Sequence, residues 1–485
     1  MTEPGANTPF VAIACGGTGG HLFPGLAVAE QLTARGCAVA LLISPKDVDQ
    51  QAVKSALECR TPLRRDADGH SRSAGSVPGA PLEAFTLPAV ALQNRNYFSF
   101  AGNLLKSLFA AQKIFRRRKP DAVLAMGGFT SAPPVWVGKD FGARTFLHES
   151  NTIPGRANRL LARFVDEVFV GFPEAVTRFR GVPQSRIKVT GTPVRAGFVA
   201  AGVSPAVEPG ILPGGPGLEI EQSSKQSSLN PGGRMPPSTA GETLAATCRA
   251  ALGLEPNRPT ILVMGGSQGA SGINEMILSA LPLLADRDWQ WLHLTGMTGF
   301  EKVKQAYATH GFKAVVRPFL AEMDLALGAA TAAVSRAGAS SLAELAAMRL
   351  PSLLVPFPAA ADNHQFFNAR AFETTGAARL LEQKDATPEK VAAMLRELGE
   401  NEAARTAMQA ALAQWHAPQA AEQIAENILQ AVGEPIMQSS KFQASSPREI
   451  SSSNDQTVSR ARVFGAWMLA LLWSLVPGAW SFYCQ

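Results

Sequence analysis

The chain has 485 residues, 46% of them hydrophobic, and a formal charge of +6 from 45 basic and 39 acidic side chains. That length exceeds one ordinary core and fits two domains with appendages, and the hydrophobic fraction supports a globular protein. The moderate positive balance suits anionic partners such as sugar nucleotides or a phospholipid surface, and no nucleic-acid motif accompanies it.

In chain order, an apolar strand is predicted over Phe10–Ala14, followed by the glycine-rich turn Gly16-Gly17-Thr18-Gly19-Gly20-His21. A helix then runs from Leu22 to Arg35, and a buried strand over Val39–Ile43. Strand, turn and helix in this order aim backbone N–H groups and a helix N-terminus at an anion. Next, Leu87, Val90, Leu92, Phe98, Phe100, Leu104, Leu105, Leu108 and Phe109 precede Lys113, Arg116, Arg117, Arg118 and Lys119. Two readings apply: contact with anionic lipid, or ordinary core followed by a solvated helix end. Strands at Ala122–Ala125, Arg144–Leu147 and Glu167–Val170 continue the alternation of a parallel sheet to about Arg195. The first of these leads into a third glycine cluster, Met126-Gly127-Gly128-Phe129-Thr130-Ser131, and the second into His148-Glu149-Ser150-Asn151.

From Gly202 to Gly241 the chain is crowded with Pro, Gly and Ser, which reads as a flexible linker or disordered insertion at a domain boundary. The alternation resumes with Thr260–Met264 and a second glycine turn, Gly265-Gly266-Ser267-Gln268-Gly269-Ala270. Further strands are expected at Trp289–Leu294, Ala332–Ser335 and Ser352–Val355, and helices finish near Val432. A Ser-rich stretch then leads to Val463–Cys484, roughly 20 residues without charge, about the length that spans a bilayer. It reads either as a membrane anchor or as a loosely attached or non-native tail, since Pro477-Gly478 interrupts it. The expected division is therefore 1–200 and 242–414 as two Rossmann-like domains, 201–241 as linker, 415–433 as a helix returning to the first domain, 434–462 as a second linker and 463–484 as the apolar tail.

Cys15, Cys37, Cys59, Cys248 and Cys484 form no C-x-x-C pair, which argues against a disulfide framework or a zinc site and favours a reducing compartment. Glu3 and the early strand leave no export signal, so the main body is expected in the cytoplasm. The first turn does not fit G-x-G-x-x-G, and Asp47 lies beyond Pro45 rather than at the end of the second strand, so nicotinamide binding is disfavoured. In the second half, Ser335-Arg336-Ala337-Gly338-Ala339-Ser340-Ser341-Leu342-Ala343-Glu344 runs from a strand end into a helix. Its hydroxyl-rich helix start suits a diphosphate, and the paired oxygens of Glu344 suit two ribose hydroxyls; a helix-capping acid is the plainer reading. Asp362-Asn363-His364-Gln365 fits recognition of sugar hydroxyls, or simply a solvated helix start.

Taken together, Gly16–His21 with Leu22-Phe23-Pro24-Gly25-Leu26-Ala27, then Met126–Phe129, His148–Asn151, Gly265–Ala270 and Asp362–Gln365, closely resemble the undecaprenyldiphospho-muramoylpentapeptide N-acetylglucosaminyltransferase family, within glycosyltransferase family 28. The resemblance covers roughly Phe10 to Val432 apart from the Pro/Gly/Ser insertion. It implies a GT-B fold, two doubly wound parallel-sheet Rossmann-like domains facing a cleft, with acceptor bound mainly by the first and donor by the second. The implied reaction moves N-acetylglucosamine from its UDP donor to the 4-hydroxyl of the N-acetylmuramyl unit of lipid I, inverting the anomeric centre to give lipid II for peptidoglycan synthesis. It implies neither metal nor cofactor, and a location on the cytoplasmic face of the inner membrane, beside other cell-wall synthesis proteins.

Residue by residue, the resemblance puts Thr18, Gly19, Gly20, Asn151 and Arg195 near the donor from the first domain. Ser267 would meet the diphosphate, Phe319-Leu320 the uracil, Ala339, Ser340, Ser341, Leu342, Ala343 and Glu344 the diphosphate and ribose, and Gln365 the sugar hydroxyls. His21 is the first candidate for base or acceptor positioning and Glu149 the second. Phe129 stands where some relatives carry Tyr, which excludes a catalytic hydroxyl there. A diacylglycerol glycosyltransferase and a non-catalytic UDP-sugar-binding scaffold are the competing readings.

Overall fold

The computed structural model of the chain describes residues 8–16, 19–46, 50, 53–54, 63–65, 71–73, 82–88, 97–198, 237–266 and 271–433. Its first half comprises β1 (Phe10–Ala14), α1 (Gly19–Ala34), β2 (Ala38–Ile43), a small antiparallel pair β3 (Leu63–Arg65) and β4 (Ser71–Ser73), β5 (Leu82–Thr86), α2 (Tyr97–Arg117), β6 (Ala122–Ala125), α3 (Ala132–Asp140), β7 (Arg144–Glu149), α4 (Arg156–Leu161), β8 (Glu167–Val170) and β9 (Ile187–Val189). Seven strands form one sheet in the order β5-β2-β1-β6-β7-β8-β9, paired in parallel throughout. Every residue of β1, β2 and β6 is buried. Such unbroken apolar runs are what a parallel sheet covered on both faces requires, each fully buried Leu or Ile contributing about 1.5–3 kcal/mol.

The second half repeats the plan. It contains α5 (Pro237–Ala251), β10 (Thr260–Met264), α6 (Ser271–Ala280), β11 (Gln290–Leu294), α7 (Phe300–Thr309), β12 (Lys313–Arg317), α8 (Met323–Ala329), β13 (Ala332–Ser335), α9 (Ala339–Ala347), β14 (Ser352–Leu354), α10 (His364–Thr374), β15 (Arg379–Leu380), α11 (Pro388–Glu400) and α12 (Glu402–Ala413). Its sheet is also parallel, in the order β12-β11-β10-β13-β14-β15. Chain order reverses at β1 in the first sheet and at β10 in the second, and crevices at such switch points hold ligands beyond the carboxyl ends of the strands. Both glycine turns leave from those two strands.

The last helix, α13 (Ala420–Gly433), leaves the second sheet and packs on α1. Ala421, Ile424, Ala425 and Ile428, spaced along one helical face, are buried with Leu22, Leu26 and Leu32. Arg35 pairs with Glu422 at 2.7 Å at the rim of this contact. Where the chain crosses between the sheets, Trp415 stacks on Phe372 of α10 with ring centroids 4.4 Å apart and lies 5.5 Å from Phe172, which follows β8.

Several expectations shift. The first helix starts at Gly19 rather than Leu22, so Gly19, Gly20 and His21 form its first turn instead of a preceding loop. The strand expected to end at Leu147 continues through Glu149, because His148 and Glu149 pair with Phe169 and Val170. Helix α5 begins at Pro237, inside the stretch read as linker, because Pro suits the first helical position and the helix packs on α8. Of the apolar run before the basic cluster, Leu87, Phe100 and Leu104 are core, while Leu105 and Phe109 are exposed. Val90 and Leu92, the insertion as far as residue 236 and the tail 434–485, with the apolar stretch 463–484, lie outside the described residues. Among the described residues no helix is long and apolar enough to cross a membrane.

Candidate active site

The first wall of the cleft is built where three strand ends meet. Gly16 leaves β1 so close to β2 that a Cβ there would lie 2.3 Å from the Ser44 nitrogen, which restricts the position to glycine. Thr18 lies outside the described residues; Gly19 is buried and Gly20 half-buried at the start of α1. His21, half-buried, faces the third glycine cluster: a Cβ on Gly127 would lie 3.0 Å from its Nε2. Gly127 and Gly128 have φ of 119° and 77°, a backbone that glycine alone adopts without strain. Ser131 ties this turn to the end of β1, its hydroxyl donating to the Ala14 carbonyl at 3.1 Å and the Gly127 carbonyl at 2.6 Å.

Glu149 is 2% exposed and receives four hydrogen bonds. Its Oε1 accepts from the backbone N–H and the side-chain amide of Asn151, both at 2.9 Å. Oε2 accepts from Gly155 N–H at 3.0 Å and Asn158 Nδ2 at 2.7 Å. Both oxygens are thus occupied by neutral donors, the arrangement of an anchor for the loop that follows β7. The neighbouring His148 is buried between the Gly191 carbonyl, 3.1 Å from Nε2, and the Ser150 hydroxyl, 3.2 Å from Nδ1. A carbonyl only accepts, so Nε2 carries the proton and Nδ1 accepts from Ser150. Burial pushes the His148 pKa down to about 4, against the opposing pull of the Gly191 bond and the Glu149 charge.

Across the cleft, α9 starts at Ala339 with Gly338 as its extended N-cap residue. Ala339 and Leu342 are buried, and Ser340, Ser341, Ala343 and Glu344 are half-buried. Burial pushes the Glu344 carboxyl up to about 7, with Arg195 pulling it down. Arg195 itself lies over the rings of Phe23 and Phe198, 4.7 and 4.9 Å from their centroids, so it stands between α1 and Glu344. Gln365, second in α10, accepts from Phe357 N–H at 2.9 Å through Oε1, which leaves its NH2 group as the remaining donor. Leu320 is buried just beyond β12, next to the 60% exposed Phe319. Ser267 lies outside the described residues.

The two walls touch. Ser340 Oγ donates to the Gly20 carbonyl at 2.9 Å. Asn368 of α10 accepts from both the backbone N–H and the hydroxyl of Thr152 at 2.9 Å, and donates to Asn151 Oδ1 at 3.0 Å and to the Ala337 carbonyl at 3.2 Å. Asp362, at a left-handed φ of 48°, accepts from Arg156 at 3.3 Å and Arg159 at 2.9 Å. The structure therefore gathers His21, Gly19, Gly20, Asn151, Arg195, Ser340 and Glu344 about one cleft. Leu320 stands at another strand end of the second sheet.

The sequence does not single out Asn158 or Asn368, and it gives Arg336 no role of its own within the run Ser335–Glu344. The two asparagines lie inside helices, where Asn is a poor helix former, and that misfit is the signal that would have found them. Arg336 is 5% exposed and donates to the carbonyls of Val355 and Pro356 and to Gln383 Oε1, with no carboxylate paired to it among the described residues. It braces the loop that opens α9. Among the described residues no group of three or more His, Cys, Asp or Glu is placed to hold a metal ion.

Residues 11–170 match the glycosyltransferase family 28 N-terminal domain and residues 260–424 the family 28 C-terminal domain. The chain is 33% identical over 419 residues to a UDP-N-acetylglucosamine--N-acetylmuramyl-(pentapeptide) pyrophosphoryl-undecaprenol N-acetylglucosamine transferase of Anaeromyxobacter sp. (strain Fw109-5), covering 85% of this chain and 91% of that protein. A protein of the same name from Xanthomonas axonopodis pv. citri (strain 306) is 33% identical over 434 residues, 89% of this chain and 84% of the relative. Among solved structures, Acinetobacter baumannii MurG superposes with a TM-score of 0.58 at 23% identity, over 87% of this chain and 100% of that one. The calicheamicin glycosyltransferase CalG4 does so with a TM-score of 0.52 at 14% identity, over 88% and 100%. These two likenesses show the GT-B fold.

Proposed function

The chain belongs to glycosyltransferase family 28, among the UDP-N-acetylglucosamine--N-acetylmuramyl-(pentapeptide) pyrophosphoryl-undecaprenol N-acetylglucosamine transferases, and on that premise we propose that it transfers N-acetylglucosamine from UDP-N-acetylglucosamine to lipid I. The observation that carries this reading is the apposition of the His21 turn of α1 to the start of α9, with Ser340 and Gly20 in direct contact.

In this reading the 4-hydroxyl oxygen of the N-acetylmuramyl unit attacks the anomeric carbon as the bond from that carbon to the UDP oxygen breaks, inverting the centre. The hydroxyl proton passes to His21, and the electron pair of the broken bond leaves with UDP. Glu149, its oxygens filled by four N–H donors, holds Asn151 in place rather than taking the proton. The first-turn amides of α9 and the hydroxyl of Ser341 would stabilise the departing diphosphate, together with Ser267, Thr18, Gly19, Gly20 and Arg195. Glu344 would take the ribose hydroxyls, Leu320 and Phe319 the uracil, and Gln365, through its NH2 group, the sugar.

A membrane surface would supply the lipid acceptor. On α2 the exposed Leu105 and Phe109 share the outer side with exposed Lys106, Lys113, Arg116 and Arg117, a pattern that suits peripheral attachment to anionic lipid at the cytoplasmic face. The apolar stretch 463–484 would add an anchor. The test of the whole reading is transfer of labelled N-acetylglucosamine from UDP-N-acetylglucosamine to a short-chain lipid I analogue in the presence of EDTA. Labelled lipid II analogue is the expected product; donor binding without transfer would assign the site to another acceptor.

A further inference from the structure

The Gly127–Gly128 turn forms one side of the space around His21, yet its two glycines at positive φ have no side chains with which to hold themselves there. Ser131 holds the Gly127 carbonyl, and what fixes Gly128 lies behind the turn. Gly128 N–H donates to Asn158 Oδ1 at 3.1 Å, and Asn158 Nδ2 donates to Glu149 Oε2 at 2.7 Å. Asn158 is 4% exposed, on the first turn of α4. Its amide can face only one way, because the carboxylate demands the NH2 and the Gly128 N–H demands the oxygen.

We propose that Asn158 is a positioning residue for the transfer reaction: it carries the fixed geometry of the Glu149 carboxylate to the Gly127–Gly128 turn and so sets the place of His21 against the acceptor hydroxyl. Gly128 accordingly keeps its 3.6 Å clearance between a would-be Cβ and His21 Cε1, and the turn cannot move away without breaking the Asn158 bond. Glu149 keeps its other three bonds without Asn158, both of those to Asn151 among them, so Asn151 and the donor-facing start of α9 stay in place. The inference rests on the proposed activity.

The experiment measures kcat, donor KM and thermal unfolding for the full chain with the lipid I analogue, in wild type, Asn158→Ala, Asn158→Asp and the double variant Glu149→Gln with Asn158→Asp. A displacement of about 1 Å at a reacting group costs on the order of a hundredfold in rate. Asn158→Ala is therefore expected to lose about tenfold to a hundredfold in kcat, with donor KM within about threefold of wild type. Asn158→Asp, which sets a second carboxylate against Glu149, is expected to be worse. The double variant turns an amide NH2 at position 149 toward an acceptor oxygen at position 158 and removes the clash of two carboxylates, while giving up the bond from Gly155 N–H, so it is expected to recover part of the loss, about threefold over Asn158→Asp. Unchanged kcat in Asn158→Ala, a rise in donor KM that matches the loss, loss of cooperative unfolding, or no recovery in the double variant would each overturn the positioning role. Absence of transfer by the wild type would instead overturn the functional reading itself.

Discussion

Ser340 donates its hydroxyl to the Gly20 carbonyl at 2.9 Å, and that carbonyl is open because Pro24, four residues further along α1, has no N–H to give it. A proline inside a helix removes one i to i−4 bond. Here the orphaned acceptor is met by a helix 320 residues away in sequence, and a local defect becomes a contact between α1 and α9.

Pro24→Ala would supply the missing N–H and compete with Ser340 for Gly20. An interior proline costs a helix about 3 kcal/mol, so thermal stability should hold or rise. Donor KM is nevertheless expected to rise by about threefold or more, because the walls close less readily. Steady-state kinetics beside a melting curve would check this, and a higher Tm with unchanged KM would show the contact to be incidental.

Glu344 gives a pH dependence with a definite sign. Its carboxyl is pushed up to about 7 by burial, above its unfolded value, so the folded chain holds the proton over a range where the unfolded chain has lost it. That contribution to stability is complete below the unfolded pKa and is lost as pH rises through about 7. In the proposed role the ribose hydroxyls donate to the charged form, so affinity for UDP-N-acetylglucosamine should fall as pH drops below 7. Calorimetric titration from pH 8 to pH 6 reads it, and Glu344→Gln should bind weakly and without this slope.

Two buried imidazoles act in the opposite direction. His148 is held at about 4, and His293, between Tyr307 and Asn274, at about 3, both by burial. Below the ordinary histidine range the unfolded chain takes up these protons first, so stability falls as pH drops from about 6.5 towards those values, by up to about 1.4 kcal/mol per pH unit for each group. Denaturant melts of His293→Gln between pH 6.5 and pH 5 should show a shallower acid slope than wild type; an unchanged slope would count against the assignment.

On α2, Phe109 is 68% and Leu105 40% exposed. Replacing both with serine should leave the melting temperature within about 2 °C, since surface changes of this kind cost little. Cosedimentation with vesicles containing anionic phospholipid should fall several-fold, and Lys113→Glu with Arg116→Glu should also remove its salt dependence. Undiminished vesicle binding in both variants would move the membrane contact elsewhere.

The strands were legible because parallel strands covered on both faces read as continuous apolar runs, and β1, β2, β6 and β10 do so. The glycine turns were legible for a related reason, since close approach of backbone to backbone, as at Gly16 against Ser44, excludes a side chain. The start of α1 is not legible in the sequence, because two glycines and a histidine are poor helix formers and no local propensity announces that they belong to the first turn. The apolar run before the basic cluster could not be divided by pattern alone; only packing separated the buried Phe100 and Leu104 from the exposed Leu105 and Phe109.

The order and spacing of the motifs were enough to determine two doubly wound halves and the family to which the chain belongs, because hydrophobic burial and backbone geometry act over neighbouring residues. The hydrogen bonding within the cleft is decided in three dimensions. Whether Glu149 is a free base or a saturated anchor depends on donors from Gly155 and Asn158, and whether Asn151 is oriented depends on Asn368, 217 residues away. Hydrogen bonds of 2.7 to 3.1 Å are set by where whole elements pack, and no periodicity along the chain encodes that meeting.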